Sequence, residues 1–219
     1  PKEPQLRACA ALLRGADALV MLPTGYGKSL TFQAPATSRA GVTLVLTPLI
    51  SLAEDQCSAL DDRGIEAALC TSNLDGDKKR KLLEELRDED CEPSTKLLYV
   101  TAEGLQTGAV ASVVRDLHRR GLLNAIIVDE AHVVSQWGHA FRPEYREIGS
   151  FRASLPPPLP PVMALTATAT AKVRDDILKA LRLRSPELVT ASADRRNLFF
   201  EVATPPPSSA APSAASAAL

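Results

Sequence analysis

Five short apolar runs, separated by segments with helical spacing, constrain this chain more than any other feature. The runs are 17–22 (DALVML), 42–47 (VTLVLT), 96–101 (KLLYVT), 124–130 (NAIIVDE) and 161–166 (PVMALT). Their apolar positions are near-continuous rather than alternating, which suits parallel strands buried on both faces. Helical patterns cover 5–14, 28–38, 49–63, 77–87 and 109–120, and Gly15, Gly64 and Gly121 stand just past three of them, where a helix ends in a left-handed residue. Strand alternating with helix predicts an α/β fold, a mostly parallel sheet with helices on both faces. Ligands of such sheets sit at the carboxyl ends of the strands.

With 219 residues, 45% of them hydrophobic, one sizeable core can form. The 25 Lys and Arg against 26 Asp and Glu exclude a wholesale polyanion-binding surface, so any nucleic-acid contact must be local. No apolar stretch is long enough to span a bilayer, and no signal peptide is visible. Cys9, Cys57, Cys70 and Cys91 are scattered without a CxxC pair, which predicts neither a zinc site nor a disulfide framework and favours a reducing intracellular compartment. The proline-rich stretch 154–161 (SLPPPLPP) is expected to be a stiff, exposed connector. Residues 203–219, all Ala, Ser, Pro, Thr or Leu, are expected to be a low-complexity tail or linker.

Chemistry enters at 21–30, MLPTGYGKSL. Gly25 and Gly27 let backbone N–H groups turn inward around phosphate oxygens, Lys28 would reach the β- and γ-phosphates, and the Ser29 hydroxyl would take one position on Mg²⁺. A helix starting at Lys28 would set its positive dipole end beneath the anion. The strict GxxxxGK[ST] pattern wants glycine at 22, where this chain has Leu22. The run 126–132 (IIVDEAH) ends an apolar strand in two carboxylates; Asp129 could hold Mg²⁺ through water and Glu130 could orient or deprotonate the attacking water. Together the two motifs indicate nucleoside triphosphate hydrolysis.

In order and context, LPTGYGKSL, TPLISLAEDQ, DEAH, SQWGHAFRPEY and ALTATAT resemble a RecQ-type DNA helicase. The resemblance covers about residues 1–202, the length of the first RecA-like lobe, a P-loop NTPase fold. It implies ATP and Mg²⁺ as cofactors, with Gln5, Thr24, Gly25, Tyr26, Gly27, Lys28 and Ser29 holding the nucleotide. Ser29 and Asp129 would then hold the metal, and Lys28, Asp129, Glu130 and His132 would be catalytic. Gln5 lies where the family reads the adenine edge. The segment 135–145 resembles the family's aromatic-rich loop, which senses single-stranded DNA and relays it to the ATP site. Trp137 and Phe141 offer stacking faces, and His139 and Arg142 add charge; Gln136 belongs to the same loop. Thr47 and Pro48 fall in a strand-to-helix motif that holds a DNA phosphate, Thr101 in a second such motif, and Thr166 and Thr168 in a motif linking the carboxylates to the DNA side.

The chain departs from that family at Ala102, where proline is usual, and at Ala140, where aspartate is usual. The segment 193–202 resembles the family's lobe-to-lobe connection. The basic clusters 78–81 and 119–120, flanked by acids, are expected to be solvated helix faces. The implied activity is the motor lobe of a 3′→5′ DNA helicase acting on single-stranded or forked DNA in repair or recombination. Its location would be the nucleus in a eukaryote and the cytoplasm otherwise. Nothing after residue 202 resembles a second RecA-like lobe, so the chain looks like a fragment whose isolated turnover should be low. A DEAH-type RNA helicase lobe, a double-strand translocase lobe and a non-catalytic nucleotide-dependent binding module remain open alternatives.

Overall fold

The computed structural model describes residues 1–71, 73–137, 140–192 and 201. The lobe-to-lobe segment and the low-complexity tail expected from the sequence lie almost wholly outside them.

Among the described residues seven parallel strands form one sheet: β1 (Ala18–Met21), β2 (Val42–Leu46), β3 (Ala67–Cys70), β4 (Leu97–Val100), β5 (Leu123–Val128), β6 (Val162–Thr166) and β7 (Glu187–Thr190), in the spatial order β3-β4-β2-β5-β6-β1-β7. The five apolar runs are the five inner strands. The edge strands β3 and β7 carry no sequence signal, since AALC and ELVT bury little and are drawn into the sheet by pairing with β4 and β1.

Alternate side chains of each strand enter two separate cores. Ala18, Val20, Val45, Tyr99, Ile127 and Met163 face one side, covered by α1 (Glu3–Leu13), α2 (Leu30–Thr37) and α3 (Ile50–Asp61). Leu19, Leu44, Leu46, Val100, Val128 and Ala164 face the other, covered by α4 (Gly76–Arg87), α5 (Ala102–Gln106), α6 (Gly108–Arg119), α7 (Glu147–Ala153) and α8 (Ala171–Ala180). Gly15, Gly64 and Gly121 end α1, α3 and α6 at φ between +69° and +74°, as their positions predict. Helices α5, α7 and α8 fall in stretches to which the sequence pattern assigns no element.

The proline-rich connector differs from the expectation. Ser154, Pro156, Pro157 and Pro158 are exposed, while Leu155, Pro160 and Pro161 are buried. The Pro160 carbonyl accepts from Arg152 Nε at 2.9 Å, and that of Pro161 accepts from the Ile126 N–H at 2.9 Å. The connector is therefore clamped against the sheet as it feeds β6.

Beneath that connector lies a buried ion pair. Arg152 (1% exposed) grips Asp17 (3% exposed) with both terminal nitrogens, at 2.9 and 2.5 Å. Asp17 also accepts from the backbone N–H of Val162 at 2.9 Å and of Arg184 at 2.6 Å. One carboxylate thus joins the entry of β1, the entry of β6 and the approach to β7. Removing one partner of a buried pair leaves the other charge uncompensated. Arg152→Leu is expected to lower unfolding free energy by about 3–5 kcal/mol in urea titrations, against an effect near zero for Arg80→Leu on the solvated face of α4.

Candidate nucleotide site and its aromatic loop

The exits of β1, β6 and β5 lie side by side, because β6 separates β1 from β5. The loop after β1 therefore meets the acids after β5. Gly25 and Gly27 adopt φ of +77° and +86°. A Cβ on Gly27 would stand 2.6 Å from Gln5 Nε2, so this position has no room for a side chain. Gln5 is buried and spends its amide on the loop itself, donating to the carbonyls of Tyr26 (3.0 Å) and Gly27 (3.1 Å) while its oxygen accepts from the Lys2 N–H (2.6 Å). Gln5 thus braces the phosphate loop, its amide hydrogens being taken up by the loop carbonyls. The Lys2 ammonium lies 4.1 Å from the centre of the Tyr26 ring.

Helix α2 starts at Leu30 rather than at Lys28. Lys28 and Ser29 form the preceding turn, where the Lys28 carbonyl accepts from the Thr31 N–H (3.0 Å) and hydroxyl (2.6 Å). Lys28 Nζ folds back to the Leu22 carbonyl at 3.3 Å, and the Ser29 hydroxyl makes no capping bond. Both groups keep capacity for a ligand.

Asp129 continues the ladder one residue beyond β5, its N–H donating to the Leu46 carbonyl at 2.8 Å. Its carboxylate is 6% exposed, accepts the Glu130 N–H at 3.0 Å and meets no basic side chain at ion-pair distance among the described residues. Burial, then repulsion from Glu130, pushes its pKa up to about 6 against attraction from Lys28 and His132. Glu130 moves the opposite way: His132 holds it below the usual carboxylate range, and Lys28 adds to that effect. Lys28 is therefore in the field of both acids. A desolvated carboxylate with no ion pair among the described residues, in the field of the lysine of a side-chain-poor loop, fits a Mg²⁺-bound triphosphate.

Glu130 sits at φ +47°, a left-handed turn that swings its side chain toward His132. His132 Nδ1 lies 3.2 Å from both Glu130 Oε2 and Thr166 Oγ1. The Thr166 hydroxyl gives its own hydrogen to the Thr168 carbonyl at 2.9 Å, so Nδ1 carries the proton that both oxygens receive. Thr166 is fully buried and Thr168 exposed, so this chain of bonds runs from the acids to the surface.

After the short helical turn Ala131–Val134 the aromatic loop begins. Trp137 is 68% exposed, Phe141 36%, and Gln136 is exposed; His139 lies outside the described residues. Arg142 reaches Glu103 of α5 at 3.5 Å. Residues that the sequence alone does not single out hold this loop. The Ser135 hydroxyl donates to Asp176 Oδ2 at 2.6 Å, Lys172 lies 3.5 Å from the Trp137 ring centre, and Arg146 lies 4.9 Å from that of Phe141. Tyr145 is fully buried, its hydroxyl unpartnered among the described residues, in the field of Arg142, Glu103 and Asp129.

At two strand exits the expected DNA-side residues also hold the local backbone. Thr47 is 1% exposed and its hydroxyl accepts from the Leu49 N–H at 3.3 Å, so the outward surface there belongs to Pro48, Leu49 and Ile50. Thr101 caps α5 by accepting from the Gly104 N–H at 3.1 Å, and Ala102 occupies the first helical position, where proline would fit equally well. The cap supplies the order that proline would have supplied.

Asp129 generates a stability test. Its folded pKa of about 6 exceeds the ordinary 3.8, so folding penalises the charged form; the penalty is absent below the lower value and complete above the higher. Asp129→Asn, which keeps the oxygen that accepts from Glu130, is expected to stabilise the metal-free chain by about 1–3 kcal/mol at neutral pH. Thermal melting should show this gain shrinking toward zero as pH falls from about 6 to about 4.

The comparisons agree with this geometry. The family model described as DEAD/DEAH box helicase matches residues 2–177. RecQ-like DNA helicase blm-1 of Caenorhabditis elegans is 43% identical over 199 residues, 90% of this chain and 20% of that protein. ATP-dependent DNA helicase RecQ of Pasteurella multocida is 40% identical over 190 residues, 87% of this chain and 28% of that protein. The chain thus spans about a fifth to a quarter of the length of these relatives. Among solved structures, the Hef helicase domain of Pyrococcus furiosus superposes with a TM-score of 0.58 at 19% identity, covering 87% of this chain and 38% of that one. A structure of the helicase MrfA bound to DNA gives a TM-score of 0.65 at 17% identity, covering 87% and 27%. At those identities the likeness speaks for the fold. Among the described residues no helix is long and apolar enough to cross a membrane. The chain belongs to the DEAD/DEAH box helicase family, and the sequences it matches at about 40% identity are RecQ-type DNA helicases.

Proposed function

We propose that this chain is the first motor lobe of an ATP-dependent 3′→5′ DNA helicase of RecQ type, coupling hydrolysis of Mg²⁺-ATP to movement on single-stranded DNA. The observation that carries the reading is the bonded chain Glu130–His132–Thr166–Thr168, which joins the acids beside the phosphate loop to the exposed Thr168.

In this reading Lys28 swings from the Leu22 carbonyl to the terminal phosphates, and the loop amides around Gly25, Tyr26 and Gly27 cradle them. Ser29 and Asp129 would hold the metal, which would supply charge neutralisation at the terminal phosphates. Ionised Glu130, held so by His132, accepts the proton of the attacking water. Bases stacked on Trp137 and Phe141 pull on Ser135 and Arg142, and through the turn Ala131–Val134 reposition His132. The helicase role in DNA repair or recombination, and the location that goes with it, are inferred from the relatives' kind.

An arginine finger from a second lobe contributes about 10³–10⁵ in rate in related NTPases. The chain of 219 residues alone is therefore expected to bind Mg²⁺-ATP, measured by fluorescent nucleotide titration, with near-zero steady-state turnover. DNA-stimulated turnover by this chain at about 1 s⁻¹ or faster would overturn the two-lobe reading. In a full-length helicase containing the lobe, Glu130→Gln should retain nucleotide binding and lower hydrolysis by about 10²–10⁴. Unimpaired unwinding by that variant would instead favour a non-catalytic binding module.

A further inference from the structure

Several basic groups of this chain are matched by acids. Arg80 pairs with Asp77 and Glu84, Lys96 with Glu92, Arg119 with Asp116 and Glu89, and Arg152 with Asp17. Other basic groups stand together without such a match. Between α7 and α8 a surface groove of about 370 Å³ is lined by Arg146, Ser150, Asp176, Lys179, Ala180 and Arg182. Three cations face it against one acid, and that acid is engaged by the Ser135 hydroxyl. Among the described residues none of the three cations forms an ion pair. Arg146 donates to the Val134 carbonyl at 3.2 Å and Arg182 to the Ser150 hydroxyl at 3.4 Å.

The groove continues from the aromatic loop. On α8, Lys172, Asp176 and Lys179 are spaced i, i+4, i+7 and so share one face. Lys172 covers Trp137, Asp176 holds Ser135, and Lys179 enters the groove. Seven residues of helix span about 10 Å, on the order of three phosphate spacings at the B-form rise. Arg146 spans the two regions, stacking on Phe141 while lining the groove. Lys179 near the C-terminus of α8 also complements the helix dipole, but that role asks nothing of Arg146, which arrives from a different element.

We propose that the groove between α7 and α8 is a binding site for the phosphodiester backbone of a nucleic-acid strand, continuing the path of bases stacked on Trp137 and Phe141 down the flank of the lobe. The proposal rests on the helicase reading above. It assigns Arg146, Lys179 and Arg182 to phosphate contacts and Ser150 to a hydrogen bond, with no base readout. Occupancy would also displace Lys172 from the Trp137 face by offering its ammonium a phosphate.

The test is fluorescence anisotropy with labelled oligothymidylates of about 6 and about 20 nucleotides, spanning the usual site sizes. Lys179→Glu/Arg182→Gln is expected to weaken the long oligonucleotide about 5–10-fold, to leave the short one unchanged, and to flatten the salt dependence of log Kd by about 1–2. Lys179→Ala serves as the milder variant, and Lys81→Glu on α4 as a charge control with no effect. Thermal melting verifies that each variant is folded. Unchanged affinity for the long oligonucleotide in folded variants, with Trp137→Ala weakening both lengths, overturns this inference and leaves the helicase reading standing. Absence of any oligonucleotide binding by the parent chain overturns both. Stabilisation by pyrophosphate that the double variant loses, with oligonucleotide affinity intact, assigns the groove to a free anion and overturns the inference as well.

Discussion

The site depends on a contact at the opposite end of the sheet. Asp17 gathers the Arg152 guanidinium and the backbone amides of Val162 and Arg184, so the entries of β1, β6 and the β7 approach are pinned by one carboxylate. In a parallel sheet, strands that start in register finish in register. Ala18 opposite Met163 and Met21 opposite Thr166 follow from that pinning. The phosphate loop and the Thr166 relay consequently leave the sheet at one level.

Two neighbouring acids in one turn are given different characters by their surroundings. Asp129 is dry and forms no ion pair among the described residues; Glu130 is turned by a left-handed backbone toward an imidazole. Such divergence separates a metal-holding carboxylate from a proton-accepting one, as the proposed mechanism requires. His132 belongs to both sides, since one N–H serves Glu130 and Thr166 together. Movement of the aromatic loop is therefore mechanically close to the chemistry, only two residues separating His132 from Ser135.

Gly25, Gly27, Lys28, Asp129 and Glu130 were legible because phosphate and metal binding demand particular residue types at particular strand ends. The inner strands were legible because burial on both faces forces continuous apolar runs. β3 and β7 were not, since an edge strand is selected by its neighbour's unpaired backbone. Neither was the commitment of Gln5 to the loop carbonyls, because hydrogen-bond partners more than twenty residues apart leave no periodic trace, nor the burial of Thr47, which only the packed structure decides. The buried ends of 154–161 escaped for a related reason: proline stiffens a chain without saying what it lies against.

By itself, then, the sequence determined the alternation of strand and helix, the loop that can hold phosphate and the strand that delivers two acids, all consequences of local composition and spacing. Only the tertiary structure decided strand order, which sets β6 between β1 and β5, and with it the pairings Ser135 with Asp176, Lys172 with Trp137 and Arg152 with Asp17. Those contacts join residues that are 35 to 135 positions apart, and long-range packing, not any local preference, brings them within reach.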